Sequence, residues 1–164
     1  MLEELAEYVR LGNLSEITNI FDKIKYDINV ALSYDGKSAL MIASRKGHFE
    51  VVSWLLSRGA DANHRNQDGD TPLIYAAAEG NNEIIKVLLQ SGANINLQNV
   101  DGNTALILAT YYSHTETCKI LLENGADIFL LDEDNNSALS VAKMKKNKEL
   151  MDLFSTYERI KSKL

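Results

Sequence analysis

A repeat of 33 residues constrains this chain more than any other feature of its sequence. Aspartate, leucine, alanine and glycine each recur at that interval, and all the sets keep one register. The sets are Asp35, Asp68, Asp101 and Asp134; Leu40, Leu73, Leu106 and Leu139; Ala43, Ala76, Ala109 and Ala142; and Gly59, Gly92 and Gly125. A period of this length is typical of stacked-repeat proteins, in which a single unit cannot bury its apolar faces alone. The sequence therefore predicts a stack of similar units.

The unit at residues 68–100 begins with signals for a short helix. Thr71 is suited to cap the start of this helix, because its hydroxyl can accept from a backbone N–H two or three residues on. Pro72 follows at the first helical position, where its missing N–H costs nothing. Gly80 can end the helix, since glycine enters the left-handed conformation freely. The apolar stripe of this helix is Leu73, Ala76 and Ala77.

The second half of the unit predicts a second helix and a loop. Asn81 or Asn82 can cap this helix, and Gly92 stops it. Its apolar stripe is Ile84, Ile85, Leu88 and Leu89. The following segment is rich in Asn, Asp and Gly, which favours turns. Each unit is thus predicted as helix, turn, helix and extended loop.

The best-preserved motif of the chain is Thr71-Pro72-Leu73-Ile74-Tyr75-Ala76, which resembles the T-P-L-H-x-A signature of the ankyrin repeat. Weaker copies begin at Ser38, Thr104 and Ser137. The G-A-D-x-N ending of the family appears as Gly59-Ala60-Asp61-Ala62-Asn63 and Gly92-Ala93-Asn94-Ile95-Asn96, whereas the third copy ends in Phe129. The resemblance covers nearly the whole chain. It implies an all-α ankyrin-repeat solenoid of about five helix-turn-helix units with extended, β-hairpin-like loops.

We predict a single domain, residues 1–164, in which the outer units act as caps. The first unit lacks the G-A signature and has polar outer residues, as suits a face without a neighbour. In the last unit, Tyr157 to Leu164 is polar and basic and is predicted to extend the second helix and fray. Ser113 is also atypical, because equivalent positions hold glycine. The units are 1–34 (N-terminal capping repeat), 35–67, 68–100 and 101–133 (internal repeats), and 134–164 (C-terminal capping repeat).

The composition is that of an ordinary globular protein and disfavours some partners. The chain has 164 residues, 45% hydrophobic and 24% charged, with a net charge of −6. The negative charge argues against general binding of nucleic acid or acidic membranes. No apolar run is long enough to span a membrane, and the acidic N-terminus does not resemble a secretory signal. One cysteine excludes an intrachain disulfide and suits a reducing compartment, so we expect a cytoplasmic protein.

The side chains that could support catalysis form no recognisable constellation. His48 and His114 occupy equivalent positions on different repeats, without a second ligand at metal-binding spacing. His64 lies in a loop, and Cys118 falls in the apolar register of a second helix. The repeated aspartates recur in turns, where they bond local backbone. We therefore expect no enzyme activity, cofactor or metal.

The resemblance implies a partner-binding surface, because ankyrin-repeat proteins usually bind partners on the concave side made of loop tips and first helices. This surface is basic at its N-terminal part, mixed in the middle, and carries two adjacent tyrosines towards the C-terminus. Alternatively, the charges are merely solvated and Tyr112 packs between repeats. The implied residues are Tyr34, Lys37, Arg45, Lys46, Arg65, Gln67, Asp70, Ala78, Glu79, Gln98, Val100, Asn103, Tyr111, Tyr112, Glu133, Asn136, Met144 and Lys145.

The favoured hypothesis is a monomeric, noncatalytic protein-protein interaction module that acts as adaptor, scaffold or inhibitor. The alternative is a regulatory or targeting ankyrin domain of a larger enzyme or of a secreted bacterial effector. The initial Met and the two predicted caps favour a complete protein. The resemblance also implies that Asn63 and Asn96 could be hydroxylated, although both asparagines could simply hold the loop through bonds to backbone.

Overall fold

Ten helices, arranged as five successive pairs, make up the part of the chain that the structure describes. The structure is a computed structural model that describes the backbone of residues 1–161 and the side chains of residues 1–159. The helices are α1 (Leu2–Leu11), α2 (Leu14–Ile24), α3 (Ala39–Lys46), α4 (Phe49–Ser57), α5 (Pro72–Glu79), α6 (Asn82–Gln90), α7 (Ala105–Tyr111), α8 (Thr115–Glu123), α9 (Ala138–Met144) and α10 (Lys148–Lys161). Within these residues the predicted all-α fold is confirmed. Helix α10 includes the first part of the tail predicted to fray, and residues 162–164 lie outside the described residues.

Four of the first helices begin at a hydroxyl cap. Thr71 Oγ1 accepts a hydrogen bond from Ile74 N at 3.2 Å, with Pro72 in the first turn, as the sequence predicts. Equivalent caps form at Ser38, Thr104 and Ser137. Helices α3 and α5 end at glycines in the left-handed conformation. Loss of one such cap typically costs about 1 kcal/mol.

Helices of the same kind pack side by side from one repeat to the next. The first helices form the row α1, α3, α5, α7, α9, and the second helices form the row α4, α6, α8, α10. The four repeated alanines are fully buried in the first row, where small side chains let neighbouring helices approach closely. Leu40, Leu73 and Leu106 are also buried, whereas Leu139 is only half-buried. The difference arises because α9 has a neighbouring first helix on one side only within the described residues.

The loops between repeats are hairpin-like in their hydrogen bonding. Each loop closes on itself, as in the bond from Asn99 N to Asn103 O at 3.1 Å. Each tip after the first also donates to the preceding tip, as in the bond from Val100 N to Asp68 O at 2.9 Å. The described residues contain one isolated β-bridge, between Ala31 and Ser38, and no longer strand.

In the second, third and fourth repeats, the residue before the second helix ties the repeat to the preceding one. His48 Nε2 lies 2.8 Å from Arg10 O, and His114 Nε2 lies 3.0 Å from Ala78 O. Of the two residues predicted to cap α6, Asn81 or Asn82, Asn81 occupies the N-cap position, but its side chain makes no cap hydrogen bond. Its Nδ2 instead donates to Ser44 O at 2.8 Å, so the amide joins two repeats.

Asparagine side chains also join the loops that follow the second helices of successive repeats. Asn63 Oδ1 accepts from Asn94 N at 2.7 Å, and Asn96 Oδ1 accepts from Asp127 N at 2.9 Å. Asn63 Nδ2 also donates to Gly92 O at 3.0 Å. Both asparagines therefore hold the loops through bonds to backbone, while their hydroxylation stays a prediction.

We expect Ser113→Gly to stabilise the protein by up to about 1 kcal/mol, because a side chain at positive φ is strained. Ser113 has φ 61°, as its glycine counterparts have positive φ. The free energy of unfolding in urea measures the effect. Ser91→Gly is the matched control, since Ser91 has φ −89° and gains no such relief. A stabilisation that is equal in both variants would show that positive φ is not the cause.

Candidate functional site

Three cavities lie along the row of first helices, on a surface that we call the first-helix face. This face consists of α1, α3, α5, α7 and α9 with the loop tips that precede them. The N-terminal cavity, of about 330 Å³, lies between α1 and α3 and is lined by Arg10, Ser33, Asp35, Lys37, Met41, Ile42, Arg45 and Lys46. The central cavity, of about 430 Å³, is lined by Arg45, Asp70, Ile74, Tyr75, Ala78, Glu79, Leu108, Tyr112 and His114. The C-terminal cavity, of about 400 Å³, is lined by Asn103, Ile107, Leu108, Tyr111, Tyr112, Asp132, Asp134, Asn136, Val141 and Met144.

Apolar residues in the repeat register contribute to all three cavities. The position just before the repeated alanine holds Ile42, Tyr75, Leu108 and Val141, and each of these side chains lines at least one cavity. The sequence-based prediction missed this column. The signal was present, because the column keeps the period of 33 yet lies outside the stripe of the repeated leucine and alanine.

Positive charge dominates the N-terminal cavity. Its lining has four cationic side chains and the carboxylate of Asp35. Lys37 Nζ and Ser33 Oγ donate to this carboxylate, and these hydrogen bonds lower the pKa of Asp35. Arg45 Nε makes an exposed salt bridge with Glu79 Oε1 at 3.4 Å. Lys46 has no salt-bridge partner among the described side chains, so its charge faces solvent.

The central cavity is built around the half-buried ring of Tyr75. Lys37 Nζ and Arg45 Cζ lie 5.8 and 5.7 Å from the ring centroid, within reach of a cation–π interaction. The phenol oxygen accepts a hydrogen bond from Asn66 Nδ2 at 3.2 Å. Burial and the nearby carboxylate of Asp70 raise the pKa of Tyr75, so the phenol is neutral at physiological pH.

The C-terminal cavity combines exposed aromatic rings with carboxylates. Tyr111 and Tyr112 are 49% and 55% exposed, and their rings meet edge to face with centroids 5.2 Å apart. Tyr112 therefore does not pack away between repeats, contrary to the alternative interpretation. Lys145 Nζ lies over the Tyr111 ring, 3.7 Å from its centroid. Asp132 and Asp134 lie on the loop side of the cavity, before α9.

The structure brings many of the predicted surface residues together and gives others a different role. The residues that line the cavities are Lys37, Arg45, Lys46, Asp70, Ala78, Glu79, Asn103, Tyr111, Tyr112, Asn136 and Met144. Arg65 and Gln98 line none of the three cavities. Arg65 Nη2 donates to Gln98 O at 2.7 Å, and Gln98 Nε2 donates to Leu131 O at 2.8 Å. Gln67 Nε2 donates to Tyr34 O at 2.9 Å. These three long side chains tie neighbouring loops together. Four further predicted residues lie outside the cavity linings: Tyr34, Val100, Glu133 and Lys145.

The groups capable of catalysis or metal binding are engaged in the fold. His64 Nε2 lies 3.1 Å from Gly36 O, so all three histidines contact backbone carbonyls. Cys118 is fully buried, and burial raises the pKa of its thiol to about 11. Among the described residues no group of three or more His, Cys, Asp or Glu side chains is placed to hold a metal ion.

The family model described as ankyrin repeats (3 copies) matches residues 5–99 and 92–163, which is nearly the whole chain. No curated protein matches this chain. None of the helices in the described residues has the length and hydropathy needed to cross a membrane. Ankyrin repeats are generally noncatalytic modules for protein–protein interaction. On this match, and on the repeated helix pairs described above, the chain belongs to the ankyrin-repeat family.

Proposed function

We propose that this protein is a noncatalytic interaction module that binds a partner protein through the first-helix face, which corresponds to the concave side that ankyrin-repeat proteins usually use. The observation that carries the proposal is the run of three cavities along this face, each bordered by exposed tyrosine, arginine, lysine or methionine. Tyr and Arg are enriched among residues that dominate binding energy, and Met adapts to irregular surfaces. The module would act as an adaptor, scaffold or inhibitor.

The exposed side chains of the C-terminal cavity support this proposal further. Tyr111, Tyr112 and the 61%-exposed Met144 all line that one cavity. Contiguous exposed apolar surface on a folded domain commonly marks an interaction site. A partner side chain seated there would remove this surface from water, and the phenol groups could still find hydrogen bonds at the rim.

We also propose a reducing, cytoplasmic environment. The support is the lone cysteine, which is a buried free thiol. Burial suits a structural thiol that is neither paired nor reactive. Fractionation of the source cells, followed by detection of the protein in each fraction, tests this proposal.

Binding kinetics test the proposed face. The partner is first recovered by pulldown from a lysate of the source cells, and its association and dissociation rates are then measured. We expect Tyr111→Ala to speed dissociation, with a loss of about 2 kcal/mol or more if the ring is an anchor. Reversal of Arg45 and Lys46 to Glu should slow association, because charges at the edge of an interface steer the encounter. Added salt should weaken this second effect.

Phe49→Ala is the matched control, because Phe49 is exposed on the second helix α4 and lines none of the three cavities. Circular dichroism must first show that every variant keeps its fold. Unchanged rates in the three first-helix variants, together with loss of binding in Phe49→Ala, would contradict the proposal.

A further inference from the structure

The charges that line the three cavities change sign along the first-helix face. The N-terminal cavity has four cationic side chains and one carboxylate, as described above. The central cavity is mixed, with Arg45, Asp70 and Glu79 in its lining. The C-terminal cavity has the carboxylates of Asp132 and Asp134 and no cationic side chain in its lining. A partner that follows the face therefore meets opposite electrostatic environments at the two ends.

The two ends keep unpaired charges that a partner could meet. At the N-terminal end Arg10, Lys37 and Arg45 form salt bridges with Glu7, Asp35 and Glu79, which leaves Lys46 as the cation open to a partner. Lys46 has no salt bridge among the described side chains, and none links Asp132 or Asp134 to a cation. Among the described residues the carboxylate of Asp132 accepts hydrogen bonds from Asn136 alone, at 2.7 Å from the backbone N and 3.3 Å from Nδ2. Lys145 is the cation that contacts a side chain of this cavity, because its Nζ lies over the Tyr111 ring. Lys145 comes directly after the last residue of α9, whereas Asp132 and Asp134 come before the first residue of that helix. A helix of seven residues separates these ends by about 10 Å.

The centre of the face suits an apolar side chain. Ile74, Leu108 and Tyr112 line the central cavity, and Tyr75 supplies a half-buried ring beside them. Leu108 and Tyr112 also line the C-terminal cavity, while Arg45 lines both the central and the N-terminal cavity. The side chains of Arg45, Leu108 and Tyr112 thus form the walls between neighbouring cavities. This arrangement favours separate side chains of a thin, extended segment over a helix about 10–12 Å wide.

Helix packing sets the length of the segment that would reach both ends. Packed helices lie about 8–10 Å apart, so the three steps from α3 to α9 span about 24–30 Å. An extended chain advances about 3.3–3.6 Å per residue, so roughly seven to nine residues cover that span. A helical segment would need about 16–20 residues for the same span, at 1.5 Å each.

We propose that the first-helix face binds an extended segment of a partner protein with an acidic residue at the N-terminal cavity and a basic residue at the C-terminal cavity. An apolar residue lies between them, and about seven to nine residues separate the two charges. This inference rests on the proposed function, because it specifies the partner chemistry of the same face. Opposite charges at the two ends fix the register of the segment and disfavour segments with like charges at both ends.

A peptide selection tests this inference without a known partner. The probe is a phage-displayed library of random 20-residue peptides, which is selected on the full 164-residue chain. Recovered peptides are synthesised, and their Kd values are measured at low and high salt. We expect an acidic and a basic position seven to nine residues apart, with an apolar position between them. Replacement of either charge by glycine should raise the Kd by about threefold or more at low salt.

Charge reversal in the protein then assigns each end. Lys46→Glu should weaken selected peptides and should favour a version whose acidic residue is changed to lysine. Asp134→Lys should favour a version whose basic residue is changed to glutamate. The matched controls are Lys86→Glu on α6 and Asp101→Lys, the equivalent turn residue one repeat earlier, because neither side chain lines the three cavities. Controls that change the preference as much as the test variants would overturn the proposal.

The remaining outcomes separate this inference from the proposed function. Peptides that lose binding in Tyr111→Ala but carry no charge pattern would overturn the inference and leave the proposed function standing. Peptides with helical periodicity over 16–20 residues would overturn the extended geometry. Failure to recover any peptide would also contradict the inference, because a short segment would then be insufficient. Selected peptides unaffected by every first-helix variant would count against the proposed function as well.

Discussion

Deletion of residues 134–164 should leave a chain that aggregates or melts at a much lower temperature. Helix α9 packs against α7, and α10 packs against α8 and α9, so the deletion strips the fourth repeat of its neighbour on this side. Terminal units of repeat proteins protect the apolar face of the adjacent repeat from water. Size-exclusion chromatography and thermal unfolding of the truncated chain measure the effect.

A matched control keeps both helices and removes only residues 162–164. We expect this shorter deletion to change neither the elution volume nor the melting temperature appreciably. If the chain that ends at residue 133 were as stable and as monomeric as the full one, residues 134–164 would not be a capping repeat.

Phe154→Ala should be the most damaging single substitution on α10, with a loss of about 3–5 kcal/mol in the free energy of unfolding. The Phe154 ring is fully buried within the hydrophobic core. Its truncation removes apolar contacts and leaves a cavity that the surrounding helices fill only in part. The melting temperature should fall by about 6–20 °C, at about 2–4 °C per kcal/mol for a domain of this size.

Asp152→Ala is the control for this substitution, because Asp152 is exposed on the same helix. A surface change of this kind usually alters stability by less than about 0.5 kcal/mol. Equal losses in the two variants would mean that α10 contributes through its helical backbone and not through the Phe154 ring.

Local signals in the sequence predicted the helix boundaries of the repeats well. Thr71 and Pro72 start α5 because a hydroxyl cap and a fixed φ act within one turn. Ser113 is atypical because the equivalent positions of other repeats hold glycine, and its backbone has the positive φ of those glycines. The start of α5 depends on interactions between residues a few positions apart, so one unit of sequence contains it, whereas Ser113 stands out only by comparison between units.

Interactions between repeats were harder to predict. Asn81 looks like an ordinary helix cap in sequence, but its amide reaches the carbonyl of Ser44 in the preceding repeat. Arg65 looks like a free surface cation, yet its guanidinium bonds the carbonyl of Gln98 in the next loop. In both cases the partner is a backbone carbonyl some 33 to 37 residues away, which residue type and local spacing do not identify.

The sequence by itself determined the period, the helix pairs and the buried register, because each unit repeats the same apolar spacing and the same turn residues. It also placed Arg45, Lys46, Tyr111 and Tyr112 towards one side of the stack. Only the tertiary structure decided how that side is divided into cavities, since side chains from successive repeats, such as Leu108 beside Tyr75, must first be brought together. The tertiary structure also decided which charged side chains stay without a salt-bridge partner. Arg45, for example, pairs with Glu79 of the next repeat, and packing between repeats alone brings these two side chains into contact.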